Sequence, residues 1–285
     1  MKVLVTGAKG MLGRAVVSAV EARAWTAIPL GREDLDVTDI NKVRNVLLRY
    51  RPEVVVNCAA YTDVDGAETA REKAFTVNGL GPRNLALVCR DVEADLVQVS
   101  TDYVFDGRKA SAYEVFDEPG PLNAYGASKL WGERAVAAAG CRWYIVRTSW
   151  LFGPGGKNFV ETILQLGKKR DVLRVVNDQN GCPTYTVDLA CAIADLIETR
   201  CYGIYHVTNL GRTTWFDFAR QISEKADLPA VIEPCSTAEF PRPAVRPKNS
   251  ALDPFPLRET IGYLLPTWED ALERYLAVTG EEEVS

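Results

Sequence analysis

The sequence predicts an α/β protein: a doubly wound parallel sheet built by the first half, with a smaller and looser α/β region after it. Three observations carry that expectation. Short apolar runs alternate with helix-like segments up to about Trp150. A glycine-rich turn joins the first apolar run directly to the first helix. Beyond Trp150 the chain becomes richer in loops and in proline. Strands buried on both faces read as continuous apolar runs, and helices between them supply the two covering layers.

Each element follows in order. Residues 2–6 read as a buried strand, and 11–21 as a helix with Ala15, Val16, Ala19 and Val20 available for one face. A strand is expected over 25–29, a helix over 40–49 and a strand over 53–57. Helices over 68–76 and 80–90 precede strands at 94–99 and 143–147, with a helix at 127–139 between those two. Right-handed crossovers leave few ways to connect such a sheet. Gly153-Pro154-Gly155-Gly156 reads as a loop or hinge, followed by a helix over 158–166 and a strand over 172–175. A helix at 187–198 and a strand at 203–207 come next. Thr214-Trp215-Phe216-Asp217 and Thr267-Trp268-Glu269-Asp270 have capping spacing and should each start a helix. Prolines at 234, 241, 243, 247, 254 and 256 exclude a long regular element between those helices. Residues 281–285 read as a solvated end.

Composition removes several function classes. The 33 Lys plus Arg against 38 Asp plus Glu give a net charge of -5. A phosphate backbone wants a basic surface, so no nucleic-acid partner is expected. The single histidine, His206, can build neither a poly-histidine zinc site nor an H-E-x-x-H helix, and no metal is expected. His206 itself reads as a strand residue, packed or hydrogen-bonded locally. The seven cysteines are scattered without a CxxC pair, which suits reduced, mostly buried thiols of a cytoplasmic protein. The start lacks the pattern of a signal peptide, and no run of ~18 apolar residues marks a membrane span.

The sharpest motif is Gly7-Ala8-Lys9-Gly10-Met11-Leu12-Gly13, between the first strand and the first helix. Gly7 makes the tight turn, Gly10 lets a pyrophosphate approach the backbone, and Gly13 lets the helix pack close to the sheet. The helix N-terminus then offers free N–H groups to phosphate. The spacing is G-x-x-G-x-x-G, so the strand–turn–helix setting carries the reading. At the end of the second strand stand Arg32, Glu33, Asp34 and Asp36. Arg32 can neutralise a 2′-phosphate and favours NADP, whereas Glu33 or Asp34 can bind the ribose of NAD; both remain open.

A second motif is Tyr125-Gly126-Ala127-Ser128-Lys129. Four residues apart on a helix, Tyr125 and Lys129 share a face. An ammonium beside a phenol lowers its pKa from near ~10 and fits it to protonate a carbonyl oxygen. Upstream, Val99-Ser100-Thr101-Asp102 carries a strand out into hydroxyls, and Ser100 or Thr101 can polarise the same carbonyl.

Together these segments resemble the extended short-chain dehydrogenase/reductases, and among them the dTDP-4-dehydrorhamnose reductases. The resemblance rests on the glycine loop, on Asn57-Cys58-Ala59-Ala60-Tyr61-Thr62 with Val64-Asp65, and on Val99 to Gly107. It continues through Asn123 to Lys129, Arg147-Thr148-Ser149-Trp150, Val176 to Thr184, Thr213-Thr214-Trp215 and Arg246-Pro247-Lys248-Asn249-Ser250. It implies reduction of the 4-keto group of a dTDP-linked 4-keto-6-deoxy sugar, giving dTDP-L-rhamnose, with NADPH, or NADH, as reductant. The implied catalytic set is Thr101, Tyr125 and Lys129. Implied cofactor contacts are Gly7, Lys9, Gly10, Met11, Leu12, Arg32, Asp36, Val37, Ala59, Ala60, Tyr61, Thr62 and Ser100, with Tyr125 and Lys129. Implied substrate contacts are Asp102, Tyr103, Trp150, Asn177, Gln179 and Arg246. The resemblance also implies a discontinuous substrate domain, 151–183 with 211–285, and a nucleotide domain of 1–150 joined by roughly 184–210. Some relatives bind magnesium at a dimer interface through a glutamate where this chain has Ala15. A dimer of that type is therefore not expected, and the chain is a monomer or a homodimer. Two other readings stay open: a 4-ketoreductase of another dTDP-6-deoxy sugar, and a non-catalytic regulatory subunit of the same fold.

Overall fold

The structure, a computed structural model, describes residues 1–282. The last three residues of the expected solvated end lie outside the described residues. The first half forms β1 (Lys2–Thr6), α1 (Met11–Ala22), β2 (Thr26–Leu30), α2 (Ile40–Tyr50), β3 (Val54–Asn57), α3 (Gly66–Thr69) and α4 (Arg71–Phe75). A π-helical turn (Thr76–Leu80) leads into α5 (Gly81–Val92), β4 (Asp95–Thr101), α6 (Ala124–Ala137) and β5 (Trp143–Thr148). The rest comprises β6 (Leu151–Phe152), α7 (Phe159–Gly167), β7 (Val172–Val176), β8 (Asn180–Gly181), β9 (Thr184–Tyr185), α8 (Thr186–Thr199) and β10 (Gly203–His206). It closes with β11 (Thr213–Thr214), α9 (Trp215–Lys225), β12 (Val231–Cys235), α10 (Leu257–Ile261) and α11 (Trp268–Glu282).

One parallel sheet runs in the order β10-β5-β4-β3-β1-β2. Side chains alternate across it, so each strand feeds two cores. Val3, Val5, Val54, Val56 and Val97 pack with Val16 and Val20 of α1 and with Leu189 and Ile193 of α8. Leu4, Val55 and Leu96 pack on the other face with Val43 and Leu47 of α2 and Leu85 and Val88 of α5. A third core joins Phe152, Val160, Leu173, Phe218, Leu272 and Tyr275 around the small parallel pair β7 and β12.

Local signals set the helix starts. The Asp39 carboxylate accepts from Asn41 N at 3.0 Å and Lys42 N at 3.2 Å and opens α2. Thr214 accepts from Asp217 N at 3.0 Å, and Thr267 from Asp270 N at 3.4 Å, so both predicted caps form. Such caps contribute about 1 kcal/mol each. The helix expected at 127–139 starts three residues earlier, at Ala124. Its cap is Asn123, whose side chain accepts from Gly126 N at 2.8 Å. In the proline-rich stretch the longest elements, β12 and α10, have five residues each.

The cysteines are all unpaired, but fewer are buried than expected: Cys89, Cys182 and Cys235 are buried, Cys58, Cys141 and Cys191 half-buried, and Cys201 exposed. Among the described residues no helix is long and apolar enough to cross a membrane.

Candidate active site

In a doubly wound sheet, the crevice opens where strand order reverses, outside the carboxyl ends of the strands. Here that point lies between β1 and β3. A cleft of about 810 Å³ occupies it. Every cofactor residue named from the sequence lines this cleft: Gly7, Lys9, Gly10, Met11, Leu12, Arg32, Asp36, Val37, Ala59, Ala60, Tyr61, Thr62, Ser100, Tyr125 and Lys129. Thr101, Asp102 and Trp150 line it too.

The phosphate loop divides its labour among three glycines. Gly7 has φ +62°, and a Cβ there would lie 2.8 Å from the backbone of Cys58 and Ala59. A Cβ on Gly13 would lie 2.3 Å from the Gly7 carbonyl, so only glycine lets α1 come this close. At Gly10 the nearest atom to such a Cβ, the Gly7 carbonyl, is 3.3 Å away, and the space saved faces the cleft. First-turn N–H groups of α1 have no intrahelical acceptor and are left for an anion. A buried polar ladder fixes the strand ends beneath. Thr6 Oγ1 donates to Asn57 Oδ1 at 2.6 Å, and Asn57 Nδ2 donates to Gln98 Oε1 at 2.7 Å.

The charges after β2 resolve differently from one another. Glu33 is ion-paired with Lys9. Asp34 accepts from Gly31 N at 2.9 Å and so closes its own turn. Asp36 accepts from Thr38 N at 3.0 Å and Thr38 Oγ1 at 2.7 Å. These bonds, with Arg32 and Lys42 nearby, hold its carboxyl below the usual range. Arg32 lines both the cleft and a side cavity of about 470 Å³, where Arg71 and Lys73 join it. Neither Arg71 nor Lys73 was named from the sequence. They lie in the helical stretch expected over 68–76, and only the fold brings α4 beside the end of β2.

Thr101 at the end of β4 and Tyr125 on α6 line the same cleft, and Thr101 acts on the Tyr125 phenol. Thr101 Oγ1 donates to Asp102 Oδ1 at 3.0 Å and accepts from Tyr103 N at 3.2 Å. Burial raises the Tyr125 phenol to about 12, against a smaller lowering by Thr101 and a raise by Asp102. The expected lowering by Lys129 is therefore corrected. The Lys129 ammonium donates to the Val99 carbonyl at 2.6 Å, and the charged or ionisable groups that act on it are Glu133 and Cys58. Burial brings Lys129 down to about 8. Ser100 needs a second correction. Its hydroxyl donates to Glu133 Oε1 at 2.5 Å, so its one proton is unavailable to polarise a carbonyl. Asp102 is buried, its Oδ2 has no partner, and burial raises its carboxyl to about 7.

The expected substrate residues fall into two groups. Trp150 adopts φ +47° and stacks on Trp215, with ring centroids 3.5 Å apart and 7° between planes. A Cβ on Gly181 would lie 2.3 Å from its ring, so the indole is clamped from both sides. Tyr103, Asn177, Gln179 and Arg246 do not line the cleft. Tyr103 meets Tyr125 edge-on at 6.0 Å and lies near enough to Arg246 for its charge to act on the phenol. Arg246 is also paired with Asp65 and donates to the Ala244 carbonyl at 2.7 Å. Gln179 Nε2 donates to Thr237 Oγ1 at 2.9 Å, and the Asn177 backbone N–H donates to the Cys235 carbonyl at 2.9 Å. Thr148, Ser149, Gly156 and Lys157 line the cleft and were not anticipated. Thr148 ends β5 and Ser149 follows it, where the rule for strand ends would have found them.

His206 is buried and hydrogen-bonded, but not locally: Nδ1 meets the Tyr113 carbonyl at 3.0 Å and the Asp253 carbonyl at 3.1 Å.

The sequence profile of the family described as RmlD substrate binding domain matches residues 1–280. The chain belongs to this family. It is similar to the dTDP-4-dehydrorhamnose reductase of Streptomyces griseus, 47% identical over 88% of this chain and 84% of that protein. It is also 40% identical to the dTDP-4-keto-6-deoxy-D-glucose reductase of Streptomyces niveus, over 98% of each chain. Among solved structures, the dTDP-4-dehydrorhamnose reductase of Bacillus anthracis in complex with NADP superposes with a TM-score of 0.95 at 43% identity, covering 97% of this chain and 98% of that one. Membership of the RmlD family makes the chain an oxidoreductase of the dTDP-4-dehydrorhamnose reductase type, a family whose reductant is NADPH.

Proposed function

We propose that this chain reduces the 4-keto group of dTDP-4-dehydro-6-deoxy-L-mannose with NADPH, giving dTDP-L-rhamnose, and does so in the cytoplasm. The observation that carries the reading is that Thr101 of β4 and Tyr125 of α6 line the same cleft as the glycine loop. The residues present fit the cofactor. Gly7, Gly10 and the first turn of α1 leave an open cradle for a diphosphate, and Arg32, Arg71 and Lys73 gather cations at the adenosine end. Glu33 and Asp34, the carboxylates that would serve NAD, are engaged with Lys9 and Gly31. That occupancy supports NADPH over NADH.

Bound NADPH supplies a hydride for C4 of the sugar. The chain supplies the proton and the orientation. Tyr125, raised to about 12, holds its proton at neutral pH and is in the right state to be an acid. It donates that proton to the carbonyl oxygen as negative charge develops there, and Thr101 turns its hydroxyl from Asp102 Oδ1 to donate to the same oxygen. Lys129, one turn along α6 and tied to the Val99 carbonyl, supplies a cation to the same cleft. The unpartnered Oδ2 of Asp102 is a ready acceptor for a sugar hydroxyl, and Trp150 forms a rigid apolar wall.

A second reading has specific support in the relative named dTDP-4-keto-6-deoxy-D-glucose reductase. The test is a comparison of kcat/KM for the two 4-keto sugars, with NADPH oxidation followed and the product identified by NMR. The proposal predicts preference for the L-configured sugar and dTDP-L-rhamnose as product. Preference for the D-configured sugar establishes the second reading instead, and turnover of neither defeats both.

A further inference from the structure

Glu133 lies one turn beyond Lys129, so Tyr125, Lys129 and Glu133 follow at four-residue spacing along α6. It is buried, and no step above uses it. Its carboxylate is nevertheless fully engaged. Ser100 donates to Oε1 at 2.5 Å. Arg147 of β5 grips both oxygens, with Nη2–Oε2 at 2.7 Å and Nε–Oε1 at 3.0 Å. Both side chains of this ion pair are under 5% exposed, at 3% for Arg147 and 4% for Glu133. Arg147 also faces His206 Nε2 at 3.4 Å. Burial, then the Arg147 charge, lowers His206 to about 3, so it stays neutral and adds no charge.

A buried ion pair adds little net stability over an apolar pair of the same shape, so stability alone is a poor reason for this one. Its place beside Lys129 is a better reason. The groups that face the Lys129 ammonium are Glu133 from its own helix, the Cys58 thiol from the loop after β3 and the Val99 carbonyl from β4. Burial pushes the Cys58 thiol up to about 12, so it is neutral. Glu133 is therefore the anion of this group.

We propose that Glu133 is a positioning residue for the reduction: it holds Lys129 as an ammonium inside the cleft wall and ties the Ser100 end of β4 to α6, while Arg147 balances the remaining charge. The proposal rests on the reductase reading for its purpose. Its electrostatic core is testable without turnover.

Competitive acylation of the native full-length protein, read at Lys129 by peptide mass spectrometry across pH, reports the titration of that amine directly. The wild-type midpoint should fall near pH 8, as burial sets it. In Glu133→Gln it should move down by about one to two pH units, the effect of removing one unit charge at a helical (i, i+4) distance in a partly shielded site. The alkaline limb of the kcat profile should move with it, with the KM for NADPH nearly unchanged. The amide leaves Arg147 unpaired, so Glu133→Gln/Arg147→Met is the companion variant. It removes both charges together, so a smaller shift in the same downward direction is expected. An unmoved Lys129 midpoint in the folded variants overturns the proposal. So does a loss of kcat that is uniform across pH with the limb in place. A wild-type protein that never turns over the sugar defeats the reductase reading instead, and the labelling result stands apart from it.

Discussion

Replacing Asp102 with asparagine should stabilise the ligand-free protein at pH 8 and not at pH 4. The Asp102 side chain is 2% exposed, its Oδ2 lacks a hydrogen bond, and its carboxyl is raised from 3.8 to about 7, chiefly by burial. Below pH 3.8 the group is protonated in the folded and unfolded chain alike, and it costs nothing. Between 3.8 and about 7 the unfolded chain has released its proton while the folded chain keeps it, so stability falls as pH rises. Above about 7 the whole penalty is present. A shift of about three units corresponds to a penalty on the order of 4 kcal/mol. Asparagine removes the charge but keeps a buried amide, whose own desolvation costs ~1–3 kcal/mol. The net gain at pH 8 is then about 1–3 kcal/mol, or roughly 2–12 °C in Tm for a chain of this size. Thermal denaturation of both proteins from pH 4 to 8 measures it. The variant should also lose activity, since the group that strains the fold is the one offered to the sugar. A Tm difference independent of pH, or a variant less stable than wild type at pH 8, refutes the reasoning.

Other consequences are as direct. Gly13→Ala drives a Cβ to 2.3 Å from the Gly7 carbonyl, and overpacking of backbone on backbone should cost about 1–3 kcal/mol or more in stability. Gly10→Ala meets its nearest atom only at 3.3 Å, so it should melt like wild type yet bind NADPH at least ~10-fold more weakly, because its Cβ projects into the anion cradle. Equal melting of the two variants contradicts that division of labour. Arg32→Ala and Lys73→Ala should each weaken NADPH more than NADH in fluorescence titrations, and equal losses for both cofactors remove the residue from the 2′-phosphate site.

The parts of this molecule that a chain can signal locally were readable in advance. The continuous apolar runs at Val3 to Val5 and Val54 to Val56, the caps at Thr214 and Thr267, and the glycine loop all follow from neighbours in sequence. The start of α6 was placed three residues late because the cap that sets it, Asn123, was not recognised as one. What stayed hidden depends on distant partners. Ser100 looked like a free hydroxyl because Glu133, 33 residues on, cannot be seen to face it. Arg246, named as a substrate contact, could not be seen from the sequence to pair with Asp65, 181 residues away. The tuning of Tyr125 was misread for a related reason. Helical spacing gives the proximity of Lys129 but not its commitment to the Val99 carbonyl, nor the depth of burial that dominates the phenol.

The central claim is that Tyr125 gives the proton in a hydride-transfer reaction at this cleft, and Tyr125→Phe tests it most directly. The measurement is the single-turnover rate of NADPH oxidation with the L-configured 4-keto sugar, at saturating concentrations of both ligands. Loss of a general acid should slow that rate by ~10²–10⁴-fold. NADPH and dTDP affinities, measured by titration on the same protein, should stay within about twofold of wild type, since the ring and the Lys129 contact remain. A Tyr125→Phe rate within a few-fold of wild type contradicts the account, whatever sugar the enzyme reduces.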